Sequence, residues 1–157
     1  MCKKNKVWLV LCVLIALALL PGCKRKIYQY PFDQGFSNVV KVEVFRYHYA
    51  TNSEEDNVTL VTELDLEEAE GLLQDISLLP SYKHFGDFPM GSYGEIILYV
   101  TYANEEAEVI GMVNSASVHL DGEWWVKGYY FDSKQWSTIL TEYVDIGLVP
   151  ELDRYLE

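Results

Sequence analysis

The chain has 157 residues, with 24 acids against 12 lysines and arginines and half of its positions apolar. That length allows one domain once a targeting segment is removed, and that composition excludes an intrinsically disordered chain. From Ile27 onward six basic residues face all 24 acids; such a surface offers no counterion-release affinity for phosphate backbones, which excludes nucleic acid as a partner.

Lys3, Lys4 and Lys6 form a positive start, and Val7–Leu20 is an unbroken apolar run of 14 residues. As a helix that run is about 21 Å long, short of the ~30 Å hydrocarbon core, so it reads as a signal-peptide h-region. Leu20-Pro21-Gly22-Cys23 follows. This tetrapeptide resembles the lipobox of bacterial lipoproteins: an aliphatic residue, a tolerant position, a small residue, then the lipidated cysteine. The resemblance implies cleavage between Gly22 and Cys23 and a thioether-linked diacylglycerol on the Cys23 thiol. It also implies palmitate-type acyl chains holding the protein on the extracytoplasmic face of the cell membrane. Lys24, Arg25 and Lys26 then fall at the headgroups, where each gains ~1 kcal/mol near anionic lipid. The expected organisation is a signal peptide over 1–22, a lipidated tether over 23–38 and a single domain over 39–157.

All 3 cysteines lie in the first 23 residues. The domain therefore has no disulfide framework, no thiol nucleophile and no cysteine metal site.

Val39–Tyr49 alternates, which predicts a strand with Val40, Val42 and Val44 on one face and Lys41, Glu43, Phe45 and Tyr47 on the other. A polar turn over 51–57 leads to a second strand over Val58–Thr62. Asp65 with Glu68 three residues on makes a capping box, and Leu66, Ala69, Leu72, Leu73, Ile76 and Leu79 follow at helical spacing up to Pro80. Gly71 weakens that helix by ~1 kcal/mol. Residues 80–94 read as an aromatic, irregular loop. Glu95–Tyr102 predicts a strand with Ile96, Leu98, Val100 and Tyr102 on one side, and Ala107–Asn114 its return. Asp121-Gly122 signals a tight turn between Val118–Leu120 and a strand over Glu123–Phe131. Asp132 or Ser133 caps a last helix carrying Trp136, Ile139, Leu140, Tyr143 and Val144 on one stripe, ended by Gly147.

This order gives an α+β class: an antiparallel sheet of about five to six strands packed with two helices. The strand Tyr93–Tyr102, the hairpin from Leu120-Asp121-Gly122-Glu123-Trp124-Trp125 to Phe131, and the helix from Asp132 together resemble small Firmicutes lipoproteins with one domain of unknown function. The likeness covers about residues 38–145 and implies location and class, with no activity attached.

Motifs for catalysis are weak. Gly91-Ser92-Tyr93-Gly94 lacks the first glycine of a nucleophile elbow, since Met90 stands there. His48, His84 and His119 are spaced too widely for a zinc signature. Asn52, Glu54, Asp56 and Glu63 fall at calcium-loop spacing, but position 6 is Asn57 where glycine is required. Paired carboxylates arise by chance among so many acids. No catalytic residue, metal or cofactor is assigned.

The more specific signal is aromatic. Phe45, Tyr47, Tyr99, Trp124, Trp125, Tyr129 and Tyr130 form a candidate binding face, because tyrosine and tryptophan combine large area with few rotamers and a polar tip. The expected function is a membrane-anchored, non-catalytic binding module that recognises its partner through this face and the 82–93 loop. Its partners would be membrane lipid through Cys23 acylation and an envelope protein or wall glycan. The alternatives are a wall or peptide hydrolase using His84 or acids near the 82–93 loop, and a calcium-sensitive module using Asn52–Glu63.

Overall fold

The computed structural model describes residues 26–48, 57–83, 96–112, 117–120 and 122–156. Among them are strands β1 (Ile27–Tyr28), β2 (Val39–Tyr47), β3 (Val58–Leu64), β4 (Ser81–Lys83), β5 (Ile96–Tyr102), β6 (Ala107–Gly111), β7 (Ser117–His119), β8 (Glu123–Trp125) and β9 (Tyr129–Phe131). The helices are α1 (Leu66–Leu78) and α2 (Ser133–Tyr143). The described pairings are all antiparallel and make three sheets: β3-β2-β5-β6, β1-β4-β9 and the hairpin β7-β8. The class is α+β, as expected, but the strands are shorter and more numerous. Neither helix is long and apolar enough to cross a membrane.

α1 begins where the capping box puts it. Asp65 Oδ1 accepts from the Glu68 backbone N–H at 2.9 Å, and Glu68 Oε2 accepts from the Asp65 N–H at 3.3 Å. Two orphan donors of the first turn are thereby satisfied. Ala69, Leu72, Leu73 and Ile76 are wholly buried, while Leu66 and Leu78 at the two ends are exposed. α2 is capped by Asp132, whose Oδ1 accepts from Gln135 N–H at 3.1 Å. It buries Trp136 and Leu140. It stops at Tyr143 rather than Gly147, because Val144 turns extended and drops into the core.

The main core lies between these helices and one face of the central sheet, where Val42, Val44, Leu98, Val100 and Tyr102 meet α1 and α2. Ile96, Leu98, Val100 and Tyr102 share that face as their alternation requires. β2 breaks the expected alternation once. Val39 pairs with Tyr102 and Lys41 with Thr101, so Val40 is the extra residue of a bulge. The bulge shifts the phase by one: Val39 is buried and Val40 is 50% exposed.

The opposite face of the central sheet carries a second core of Phe45, Ile97 and Val109, closed by Val118 and Val126. The β7-β8 hairpin supplies this lid. The segment expected as one strand over Glu123–Phe131 is two strands. Val126 turns into the second core, Lys127 turns toward β6, and the Tyr129 N–H bonds to the Lys127 carbonyl at 2.6 Å. β9 then leaves the hairpin and pairs with β4, its Phe131 N–H reaching the Met112 carbonyl at 3.2 Å.

The tether expected over 23–38 is largely part of the fold. Ile27 and Tyr28 pair with Tyr82 and Ser81, and Tyr30 is 5% exposed in the main core. Tyr30, Phe32 and Phe36 run in consecutive edge-on contacts at 4.9 Å between centroids. Three aromatic rings bury enough apolar area to hold this segment down. Within the described residues the domain therefore starts at Ile27, twelve positions before the expected boundary.

Candidate functional site

The seven aromatic residues singled out from sequence do not share one surface. Phe45 is 5% exposed and meets Tyr99 edge-on at 6.4 Å beneath the β7-β8 hairpin. Tyr47 and Tyr99 are half-buried against the same second core. Tyr129 belongs to the main core side, with Tyr28 and Tyr30 at 6.1 and 5.9 Å. Tyr130 points to the other face of β9. The Trp124 and Trp125 backbones pair with Val118 and Ser117, and their side chains lie outside the described residues. The correction has a simple cause. Leaving Phe45, Ile97 and Val109 in water costs roughly 25 cal/mol per Å² of apolar surface, and the hairpin removes that cost by folding over them.

What stays at the surface is a row on the small sheet. Ile27 stands opposite Tyr82, and Tyr82 opposite Tyr130. Directly paired residues share a face, so these three side chains form a ladder across β1, β4 and β9. The Tyr82 and Tyr130 rings lie 5.4 Å apart, both half-buried, and Ile27 is 63% exposed. The alternate row is the inner one: Ser81 is wholly buried, Phe131 nearly so, and Tyr28 half-buried. Ser81 Oγ donates to the Tyr28 carbonyl at 3.0 Å, which ties β1 to β4 beyond their ladder. Two cations flank the sheet: Lys26 Nζ sits 5.1 Å from the Tyr28 ring centre and Lys83 Nζ 5.8 Å from that of Tyr129. Periodicity could not have found this row, because β1 is two residues long and β4 three.

A second arrangement is buried and polar. Glu108 on β6 is 4% exposed, yet it accepts from the Tyr102 hydroxyl and from Lys127 Nζ at 2.8 Å. Lys127 Nζ also reaches Asp33 Oδ1 and the Pro31 carbonyl, each at 2.7 Å, and lies 5.5 Å from the Tyr30 ring centre. Burial first, and the Glu108 and Asp33 charges second, push the Tyr30 hydroxyl above its ordinary value. Burial and the bond to Glu108 do the same for Tyr102. Both hydroxyls stay protonated, so the site holds one buried carboxylate compensated by one lysine. Its evident work is to latch residues 30–33 onto the central sheet. Gln34 Nε2 adds a bond to Glu106 Oε2 at 2.7 Å, and the Ala103 N–H one to the Asn38 carbonyl at 2.8 Å.

The expected catalytic and metal candidates do not converge. His48 Nε2 lies 3.0 Å from Thr59 Oγ1, and His84 lies outside the described residues. His119 is engaged through its backbone with Asn57. The Asn57 Oδ1 accepts from His119 N–H at 2.8 Å, and the Asn57 N–H donates to the His119 carbonyl at 3.3 Å. Asn57 is 4% exposed and also accepts from His48 N–H at 2.7 Å. The residue that stands where a calcium loop requires glycine thus clamps β7 to the end of the β2-β3 hairpin. Of the candidate calcium-loop positions, Asn52, Glu54 and Asp56 lie outside the described residues, and Glu63 is ion-paired with Lys41 at 3.2 Å. Among the described residues no group of three or more His, Cys, Asp and Glu stands close enough to hold a metal ion. A shallow recess of about 500 Å³ between α1 and α2 is lined by Asp65, Glu67, Glu68, Gly71, Glu142 and Tyr143. Asp65, Glu67 and Glu68 sit at the N-terminus of α1, where the macrodipole favours them, whereas Glu142 lies in the last turn of α2.

No family model, no curated protein and no solved structure matches the chain.

Proposed function

We propose that the chain is a lipid-anchored lipoprotein of the extracytoplasmic membrane face, and that its acidic α+β domain is a non-catalytic binding module. The observation that carries this reading is Leu20-Pro21-Gly22-Cys23 placed directly after three lysines and a 14-residue apolar run. A run of that length inserts without spanning stably, and a glycine before the cysteine gives a peptidase close access to the backbone. Two or three acyl chains on Cys23 would then anchor the protein, where a single chain holds only marginally. The domain that follows has all its acids and needs no disulfide.

Recognition falls to the Ile27–Tyr82–Tyr130 row, an aromatic surface among the described residues. The partner classes for such a module are the membrane itself, an envelope protein or a wall glycan. The test is the mass of the N-terminal peptide from the membrane fraction of cells expressing the full chain. A peptide beginning at Cys23 with diacylglyceryl mass, together with loss of membrane association in Cys23→Ala, is the expected result. An unmodified peptide beginning upstream of Cys23 sinks the reading.

A further inference from the structure

We infer that the outer row of the small sheet, Ile27, Tyr82 and Tyr130, docks on the lipid surface that carries the anchor. The inference rests on the proposed lipidation of Cys23 and goes further, by fixing which face of the domain meets the bilayer.

The first argument is reach. Three residue steps separate Cys23 from Lys26, and β1 starts at Ile27. A fully extended chain covers at most ~3.6 Å per residue, so Lys26 lies within about 11 Å of the acylated residue. The headgroup layer on each side of a bilayer is roughly 5–7 Å deep. A spacer of 15 residues would let the domain stand off in any orientation; one of three residues does not. The sheet that contains β1 is therefore held at the headgroups.

The second argument is the chemistry of that sheet. Its outer row is an exposed isoleucine beside two half-buried tyrosines whose rings lie 5.4 Å apart. Tyrosines with an apolar body and a polar tip are the residues that settle at a membrane–water interface. Lys26 and Lys83 stand at the edges of the same sheet, over Tyr28 and Tyr129 of the alternate row. They are suited to anionic headgroups because their stems can lie along apolar surface while the ammonium reaches phosphate.

The third argument is the charge of the remainder. From Ile27 onward the chain has 24 acids and six bases. Among the described residues Lys41 pairs with Glu43 and Glu63, Arg46 with Glu151, and Lys127 with Asp33 and Glu108. An anionic bilayer repels such a surface and turns the small sheet inward. Chain length and charge bring the small sheet to the lipid, and side-chain type selects its outer row.

The test uses the full chain purified in acylated form and reconstituted into phosphatidylglycerol-containing vesicles. Hydroxyl-radical oxidation is read residue by residue by mass spectrometry, with exposed Leu60 and Leu148 as references. A matched variant has twenty Gly/Ser residues inserted between Lys24 and Arg25, which adds a mean reach of about 25 Å. Oxidation of Ile27, Tyr82 and Tyr130 should be at least threefold lower in the native chain than in the spacer variant, with Leu60 and Leu148 equal in both. Equal oxidation of the row in the two proteins, with acyl mass present on Cys23, overturns the docking while leaving the anchor standing. Protection of Leu60 or Leu148 in place of the row overturns it as well, since another face then meets the lipid. Protection of the row in whole cells but not in lipid vesicles assigns it to an envelope partner and overturns the lipid assignment. Absence of acyl mass on Cys23 removes the anchor and the docking together.

Discussion

The ring of Tyr143 lies against the bare Cα of Gly71, and its hydroxyl donates to Asp75 Oδ2 at 2.5 Å. One residue of α2 thus touches two successive turns of α1. A Cβ at position 71 would come within 2.9 Å of the Tyr143 ring. The glycine that weakens α1 locally is what lets α2 approach.

The helix pair can be tested through this contact. Gly71→Ala gains ~1 kcal/mol of helix propensity but meets the ring, so the substitution should destabilise the domain or leave it unchanged. In a Tyr143→Ala background the same change should stabilise by about 1 kcal/mol. Urea denaturation of the two singles and the double gives the coupling directly. Equal effects of Gly71→Ala in both backgrounds would show that the ring does not restrain position 71.

The buried carboxylate gives a second expectation. Lys127→Met leaves Glu108 in the core without its cation, which should cost about 3–5 kcal/mol. Adding Glu108→Gln removes the uncompensated charge and should recover most of that loss. The measurement is the denaturation midpoint of single and double variants. A double variant no more stable than Lys127→Met would place the loss in the packing of the lysine stem rather than in the charge.

Alkaline stability carries a sign that can be read from the tyrosines. The bond to Asp75 and partial burial push the Tyr143 hydroxyl up to about 12, against about 10 in an unfolded chain. Between those values the unfolded state releases the proton and the folded state keeps it. Stability from this group is therefore complete below pH 10 and is lost as pH rises toward 12. Burial raises Tyr30 and Tyr102 in the same direction. The denaturation midpoint should fall steeply above pH 10. Tyr143→Phe should lower stability at pH 9 and make the decline between 10 and 12 shallower; an unchanged slope would remove Tyr143 from the account.

The bulge in β2 predicts a contrast between neighbouring valines. Val40→Thr changes an exposed residue and should shift stability by less than about 0.5 kcal/mol. Val42→Ala empties a fully buried position and should cost about 2 kcal/mol. Without the bulge the alternation puts both residues in the core, and both substitutions would then be costly. Thermal denaturation of the two variants separates the cases.

Local signals were enough for α1. Asp65, Glu68 and the 3.6-residue spacing of Ala69, Leu72, Leu73 and Ile76 are contained within fifteen residues, and the helix starts and packs as they require. The same holds for β5, whose four alternate apolar residues all point into one core. The cation-and-apolar pattern ending at Cys23 is likewise a property of the chain alone, and so is the concentration of every acid beyond Ile27.

Tertiary structure alone decided the rest. Phe45 reads as a candidate ligand contact until Val118 and Val126, more than seventy residues away, close over it. Asn57 reads as a loop residue until its amide meets the backbone of His119. Ile27 and Tyr82 are separated by more than fifty residues on strands too short to show a period, and only their pairing makes them neighbours on one face. A helix is specified by interactions within four residues along the chain, whereas a sheet face is assembled from partners the chain brings together from a distance. The lipobox-like pattern could therefore be read from the chain itself, and the row proposed to meet the membrane could be read only from the fold.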